Sequence, residues 1–517
     1  MTRTRLSSLV RQLSALLAAV VVLCVPALWN QQPILYPDTP TYVRGAEMGL
    51  SKFAPAAALK PWSPPQEQAA AGPAETPVAE RSPARARALT SVEDKVVLAG
   101  RSVYYGVLAY AGYVAGEFWP TIVVQAVAVG LVLHLLMIGL WGLQPATFFA
   151  TVAALSLLTP LGAYTGFLMP DVFASLAVLC SATLLVYWER LRTGDRWLLA
   201  ALLAFALSTH ASHLAIAVLL LALAILARLL FTRWKRLAVP GLVVLAACCA
   251  TAFAAEWAFN RAVVAAVGAP PLRLPHPMAR LIDMGPGTDY LKRNCPGAGY
   301  AACNWVGNYP TGWTDFLFST DPIRGAFALA DPATRRRLSD EQLGFVVAVV
   351  RDDPLRVVGG IGADVLRQLT HFGVDIWGYG DTLPALYVGR VPERVLAAMQ
   401  ESRASRTLVH NTWLTQSTYA AVIASLLLWL VGPWRSLGRG SQRAASMPHG
   451  FSDFATIVAA GVVLNAVVCA TLASSLDRFQ SRVVWLLPFL AISALAAWRA
   501  APPRSVPSRA ARAASPS

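Results

Sequence analysis

About ten apolar runs, each near the roughly 20 residues that a bilayer's hydrocarbon core requires, leave this chain few ways to fold. They fall at about 9–29, 119–140, 145–163, 171–188, 197–209, 212–231, 237–258, 413–433, 452–474 and 483–499. In lipid each backbone N–H and C=O must be satisfied within its own segment, so runs of this length predict helices. Only 14% of the 517 residues are charged, against roughly 25% in soluble domains. The predicted fold class is therefore an all-α polytopic membrane protein with about ten transmembrane helices. The formal charge of +15 comes largely from Lys and Arg beside the apolar runs. That pattern sets topology and attracts anionic lipid, and it excludes nucleic acid as a partner.

Residues 1–28 begin with Arg3, Arg5 and Arg11 and continue into an apolar run; without a good small-x-small cleavage pattern, they read as an uncleaved first span with its N-terminus inside. From that start, 188–196, 228–236, 434–443 and the basic tail 500–517 fall on the cytoplasmic side, with Arg190, Arg192, Arg233, Lys235, Arg236, Arg435 and Arg439 among their charges. The connections 160–170 and 209–211 carry no Lys or Arg and fall outside, so the topology is N-in and C-in.

Two long segments are then extracytoplasmic. In the first, 51–90 is rich in Ala and Pro and predicts a disordered insert within the N-terminal module 1–258. Residues 96–113 predict an interfacial helix carrying Arg101. The second, 259–411, is long enough for a small domain before the C-terminal helices of 412–499. Asp331–Pro332 and Asp353–Pro354 punctuate it, and Ser339-Asp340-Glu341 resembles a helix start. Cys295 and Cys303 share one loop, where an oxidising compartment favours a disulfide over a metal pair. The other five cysteines lie within spans and read as packing residues.

This topology brings four polar sets to one membrane surface. Asp38 lies in a turn stiffened by Pro37 and Pro40. Asp171 follows Pro170 at the start of a span, a position that also suits a helix N-cap. His210 and His213 lie at one turn, while Arg478 and Arg482, spaced i, i+4, share a helix face that could hold a phosphate or snorkel to headgroups. Two carboxylates, two imidazoles and two guanidiniums suit a lipid-linked phosphate substrate. Arginines would hold the phosphate, a carboxylate would deprotonate an acceptor hydroxyl, and histidines would donate to phosphate or orient the base. A transporter or flippase would instead place ionisable groups mid-span, where His134, Glu256 and Asn465 are the residues to examine.

Asp38-Thr39-Pro40-Thr41-Tyr42, the helix expected at 96–113 and Pro170-Asp171 resemble the GT-C superfamily of integral-membrane glycosyltransferases, specifically the protein O-mannosyltransferase and lipid A aminoarabinose transferase types. The resemblance covers roughly 1–235. It implies a GT-C-like fold and an enzyme that moves a sugar from a polyprenyl-phosphate carrier to an extracytoplasmic glycan, lipid or protein acceptor. The site would face the periplasmic side of a bacterial inner membrane, with membrane lipids as further partners. It implies Asp38 as catalytic base or metal-associated carboxylate and Asp171 as a donor- or metal-positioning group, with Mg or Mn as the possible cation. Tyr42 and Arg101 would position substrate, and Arg478, Arg482, His210 and His213 would bind the donor phosphate. Thr39 departs from the acidic residue often found beside the first Asp, which leaves a thin metal site. The alternative enzyme is a polymerase or ligase moving whole lipid-linked glycans.

Overall fold

The computed structural model describes residues 3–55, 59–62, 97–374, 387–406, 412–431 and 447–500. Among these the regular structure is helical, and two isolated β-bridges join Ile34 to Phe167 and Leu98 to Leu272. The first half contains α1 (Arg3–Asn30), α2 (Thr39–Leu50), α3 (Val103–Gly116), α4 (Trp119–His134), α5 (Pro145–Leu158), α6 (Leu161–Gly166), α7 (Val172–Tyr187), α8 (Thr193–Thr209), α9 (Ala211–Leu230) and α10 (Val239–Val267). A polar helical unit follows, with α11 (His276–Met284), α12 (Pro286–Asn294), α13 (Trp313–Phe318), α14 (Pro332–Asp352) and α15 (Pro354–Thr370). The chain then forms α16 (Glu393–Glu401), α17 (Arg403–Arg406), α18 (Thr412–Val431), α19 (Phe451–Leu472), α20 (Asp477–Val484) and α21 (Leu486–Ala500).

Eight segments among the described residues have the length and apolar composition of a membrane span: Leu6–Asn30, Trp119–Leu140, Val172–Arg190, Ala211–Leu230, Val239–Val267, Thr412–Val431, Phe451–Leu472 and Asp477–Ala500. The runs at 145–163 and 197–209 fall short of the expectation of ten. In the first, α5 stops after 14 residues at Thr159, where the backbone turns extended before Pro160. In the second, α8 has 17 residues, and its first turn is occupied by Asp195, whose carboxylate accepts from the Arg192 N–H at 3.3 Å. α10, expected over 237–258, continues to Val267, nine residues further, before Gly268 ends it in a left-handed conformation.

The bundle has two chemically distinct ends. At one, Trp141 Nε1 donates to the Tyr187 hydroxyl at 3.0 Å, and Arg233 and Arg236 pair with Asp453 at 3.0 and 2.6 Å. Of the segments read as cytoplasmic, 434–443 and 501–517 lie outside the described residues. The other end carries Asp38, Asp171 and the α8–α9 turn, with the polar unit packed over it.

The first long connection differs from expectation in two places. Its helix starts at Val103, not 96, because Ser102 caps it, accepting from the N–H groups of Tyr104 and Tyr105. Within the stretch expected to be disordered, residues 59–62 are ordered. Trp62 is fully buried against Tyr113 and Phe118, its backbone N–H donates to Glu47 Oε1 at 2.7 Å, and Lys60 pairs with Glu117 at 2.6 Å. One large aromatic buries enough apolar area to hold a short strap in place. Residues 51–55 are described as well, in turns that follow α2, with Phe53 and Ala54 N–H donating to Leu50 carbonyl, whereas 56–58 and 63–90 lie outside the described residues.

The polar unit has its own core, built around Met278, Ile282, Leu291, Phe316, Phe327 and Phe345. Asp331 caps α14, accepting from Ala333 and Thr334 N–H at 3.0 and 3.1 Å, and Asp353 caps α15. Ser339 is therefore mid-helix and not a helix start; its hydroxyl accepts from Arg273 N–H at 3.2 Å. Cys295 and Cys303 form a disulfide. Closing so short a loop contributes about 2–3 kcal/mol, and Cys295→Ser is expected to destabilise the protein by that order. Alkylation of the denatured chain should find the five free cysteines before reduction and all seven after it. Seven reactive thiols without reduction would refute the bridge.

Candidate active site at one end of the bundle

The Asp38 turn is stitched to the loop that precedes Asp171. Ile34 N–H donates to Gly166 carbonyl at 3.1 Å and Leu168 N–H to Ile34 carbonyl at 3.0 Å. Thr39 adds two bonds: its Oγ1 accepts from Tyr36 N–H at 2.8 Å and donates to Leu168 carbonyl at 3.0 Å. Fully buried in this role, Thr39 fixes where Asp38 points. Asp38 precedes α2 but makes no capping bond; its Oδ1 instead accepts from Arg101 Nη2 at 2.6 Å. No donor among the described residues reaches Oδ2.

Arg101 is placed by the residue after it. The Ser102 hydroxyl, which caps α3, also donates to Ser208 carbonyl at 2.6 Å, tying this loop to the α8–α9 turn. Burial works against the Arg101 cation, but Asp38 and Tyr42 outweigh it, so the guanidinium is held more firmly charged than usual.

Asp171 lies between two arginines. Its Oδ2 accepts from Arg478 Nη2 at 2.8 Å, and its Oδ1 is 3.6 Å from Arg482 Nη1. Burial alone would raise this carboxyl, yet Arg478 and Arg482 bring it down to about 2, so it is a fixed anion and not a proton acceptor. Arg478 lies 3.9 Å over the Tyr36 ring and keeps a partly exposed side chain, 14%. Arg482 is only 2% exposed. Its donors go to Asn465 Oδ1 at 2.9 Å, Ser212 Oγ at 3.0 Å and Cys469 Sγ at 3.3 Å. Of the i, i+4 pair, Arg478 faces the open side and Arg482 is an internal strut.

His210 is next in this chain of bonds. Its Nδ1 accepts from Ser212 N–H at 3.2 Å and lies 2.8 Å from the Ser212 hydroxyl, which itself accepts from Arg482. Nδ1 is thus the lone-pair nitrogen, and Nε2–H is the free donor. Burial and the Arg482 charge push His210 down to about 3, so it is neutral at physiological pH. His213 is fully buried, with Nδ1 3.0 Å from Ala206 carbonyl, and is a core histidine out of reach of a substrate.

Tyr42 stands among these groups. It is 2% exposed, rests edge-on against Tyr105 at 5.3 Å, and feels Arg101, Asp38, Asp171 and Arg478 together. Burial, the largest influence, makes its phenol a weaker acid than usual. Arg101, Arg478 and Arg482 against Asp38 and Asp171 leave this set of paired side chains with one net positive charge. Both carboxylates already have arginine partners, and no group of three or more His, Cys, Asp or Glu among the described residues could hold a metal. This donor set does not fit Mg or Mn, which favour several uncompensated oxygens.

Two contributors lie outside the sequence reading. Arg390, just before α16, donates to Pro37 carbonyl at 3.1 Å, directly beside Asp38. His276, at the start of α11, feels both Arg101 and Asp38; burial and Arg101 push it down to about 4. Of the mid-span residues, Asn465 belongs to this network, while Glu256 is exposed and bonded by Asn260 at 3.3 Å. His134 packs edge-on against Phe148.

Acidification is expected to loosen this end. An unfolded chain protonates His210 near pH 6.5, whereas the folded site resists until about 3. The unfolded state therefore binds more protons through that window. Stability is complete above about pH 6.5 and falls by about 1.4 kcal/mol per pH unit below it. Melting temperature followed from pH 7 to pH 4 should slope more steeply for wild type than for His210→Gln; equal slopes would refute a buried neutral imidazole.

No family model, curated protein or solved structure matches the chain.

Proposed function

We propose that this protein is a membrane glycosyltransferase that moves a sugar from a polyprenyl-phosphate carrier to an extracytoplasmic acceptor. The observation that carries the reading is a carboxylate with one oxygen free of donors among the described residues, beside an arginine cluster at one end of an apolar bundle. An anionic lipid headgroup reaches that depth while its chain stays in the bilayer. Arg101 and Arg478 are the partly exposed cations flanking Tyr42, and they receive the phosphate. The Nε2–H of neutral His210 adds a donor without a charge.

In the reaction, Asp38 Oδ2 accepts the proton of an acceptor hydroxyl as its oxygen attacks the sugar's anomeric carbon. The anomeric C–O bond to phosphate breaks, and polyprenyl phosphate leaves with the electron pair. Attack opposite the leaving group inverts that carbon. Asp171 touches neither reactant; it holds Arg478 and Arg482 in place. The arrangement of basic loops, with Arg233 and Arg236 at the opposite end, supports an N-in bundle with this site on the periplasmic face of a bacterial inner membrane.

The test uses protein in lipid nanodiscs with labelled polyprenyl-phosphate sugars. Wild type is expected to break the sugar–phosphate bond, and Arg478→Ala to lower donor affinity about tenfold or more, since hydrogen bonds to charged groups contribute about 1.5–3 kcal/mol. Failure of wild type to bind any carrier lipid would move the assignment to a transporter.

A further inference from the structure

His276 and Trp313 stand out among the buried polar groups of the helical unit. His276 Nδ1 and Trp313 Nε1 are each buried without a hydrogen-bonding partner among the described residues. Trp313 is 8% exposed, and its ring stacks on the His276 ring at 5.3 Å with 22° between planes. Phe318 meets Trp313 edge-on at 6.2 Å. Buried donors and acceptors are nearly always satisfied, so two adjacent exceptions on one aromatic surface call for a ligand. The surface adjoins the reacting carboxylate. The bridge between Leu98 and Leu272 ties α11 to the Arg101 loop, and His276 feels the charges of both Arg101 and Asp38.

We propose that His276 and Trp313 form the acceptor subsite, and that it takes a hydroxyl-rich glycan. The proposal rests on the glycosyl-transfer reading above. A hydroxyl serves either imidazole tautomer and also accepts from an indole N–H. An ammonium group cannot accept from the indole, and an ionised carboxylate or phosphate serves only the tautomer with its proton on Nδ1, whereas a hydroxyl serves both. A sugar ring further offers an apolar C–H face to the stacked aromatics and several neighbouring hydroxyls, whereas a serine or threonine peptide offers one per residue. His276 and Trp313 act as binding and positioning residues, with Asp38 remaining the base.

The test needs no turnover. Full-length protein in nanodiscs is photolabelled with diazirine methyl glycosides of several hexoses and pentoses, alongside a diazirine serine peptide and a diazirine alkane. Glycoside labelling is expected at 272–278 and 313–318, competed by unlabelled glycoside and reduced about tenfold in His276→Gln and Trp313→Phe. In the transfer assay both variants should raise the acceptor KM about tenfold and leave the donor KM unchanged. Glycoside labelling in a protein that transfers no sugar would retire the glycosyl-transfer reading and leave the subsite standing. Transfer with a wild-type acceptor KM in both variants would overturn the subsite and leave the enzyme. Equal or stronger labelling by the peptide or the alkane would also overturn it.

Discussion

Asp38→Asn is expected to lower sugar transfer by about 10²- to 10⁴-fold, the usual contribution of a positioned general base. The substitution keeps the shape of the side chain and one acceptor for Arg101, so the turn held by Thr39 should survive. Donor binding should change little, because the phosphate is assigned to Arg101 and Arg478. Single-turnover kinetics with saturating donor would separate the two steps. A variant retaining more than a tenth of the wild-type chemical rate would remove Asp38 as the base.

The second large effect concerns stability. Asp171→Ala removes the sole carboxylate among the described residues that pairs with Arg478 and Arg482. Breaking a buried ion pair from one side costs about 3–5 kcal/mol, because the remaining charge loses its compensation. Thermal unfolding in nanodiscs should fall well below wild type even without substrate. Exchanging Asp171 for Leu together with Arg482→Met should recover part of that loss, because it leaves only the partly exposed Arg478 without its partner, where Asp171→Ala leaves both arginines so. A single variant as stable as wild type would show that the arginines find other partners and that Asp171 is dispensable to the fold.

Much of this architecture is legible in the sequence because lipid enforces a simple rule. Apolar length gives helices. Threading alone brings Asp38, Asp171, His210 and Arg478 to one end. Pairings are another matter, since nothing in the spacing says that Asp38 meets Arg101 or that Arg482 turns inward to Asn465. Those choices depend on how helices rotate about their axes. Thr39 shows the same gap: a missing acidic residue in sequence is a buried hydrogen-bonding stitch in structure. His276 and Trp313 escaped notice because 259–411 has no spanning periodicity to fix which residues face the site. One signal was available: His276 stands between Pro275 and Pro277, a stiff flanking like that around Asp38.

Arg280, one turn beyond His276 on α11, is 5% exposed, pairs with Asp364 and with Asp283, and donates to Ala470 carbonyl at 3.3 Å. Ala470 and Asn465 belong to the same helix, α19, about 7.5 Å apart along its axis. Asn465 in turn grips Arg482. His276 and the internal arginine are therefore joined in series by two helices and one buried hydrogen bond, from Arg280 to Ala470. Such a linkage has little slack. The helical unit cannot swing away as a free lid without pulling on α19.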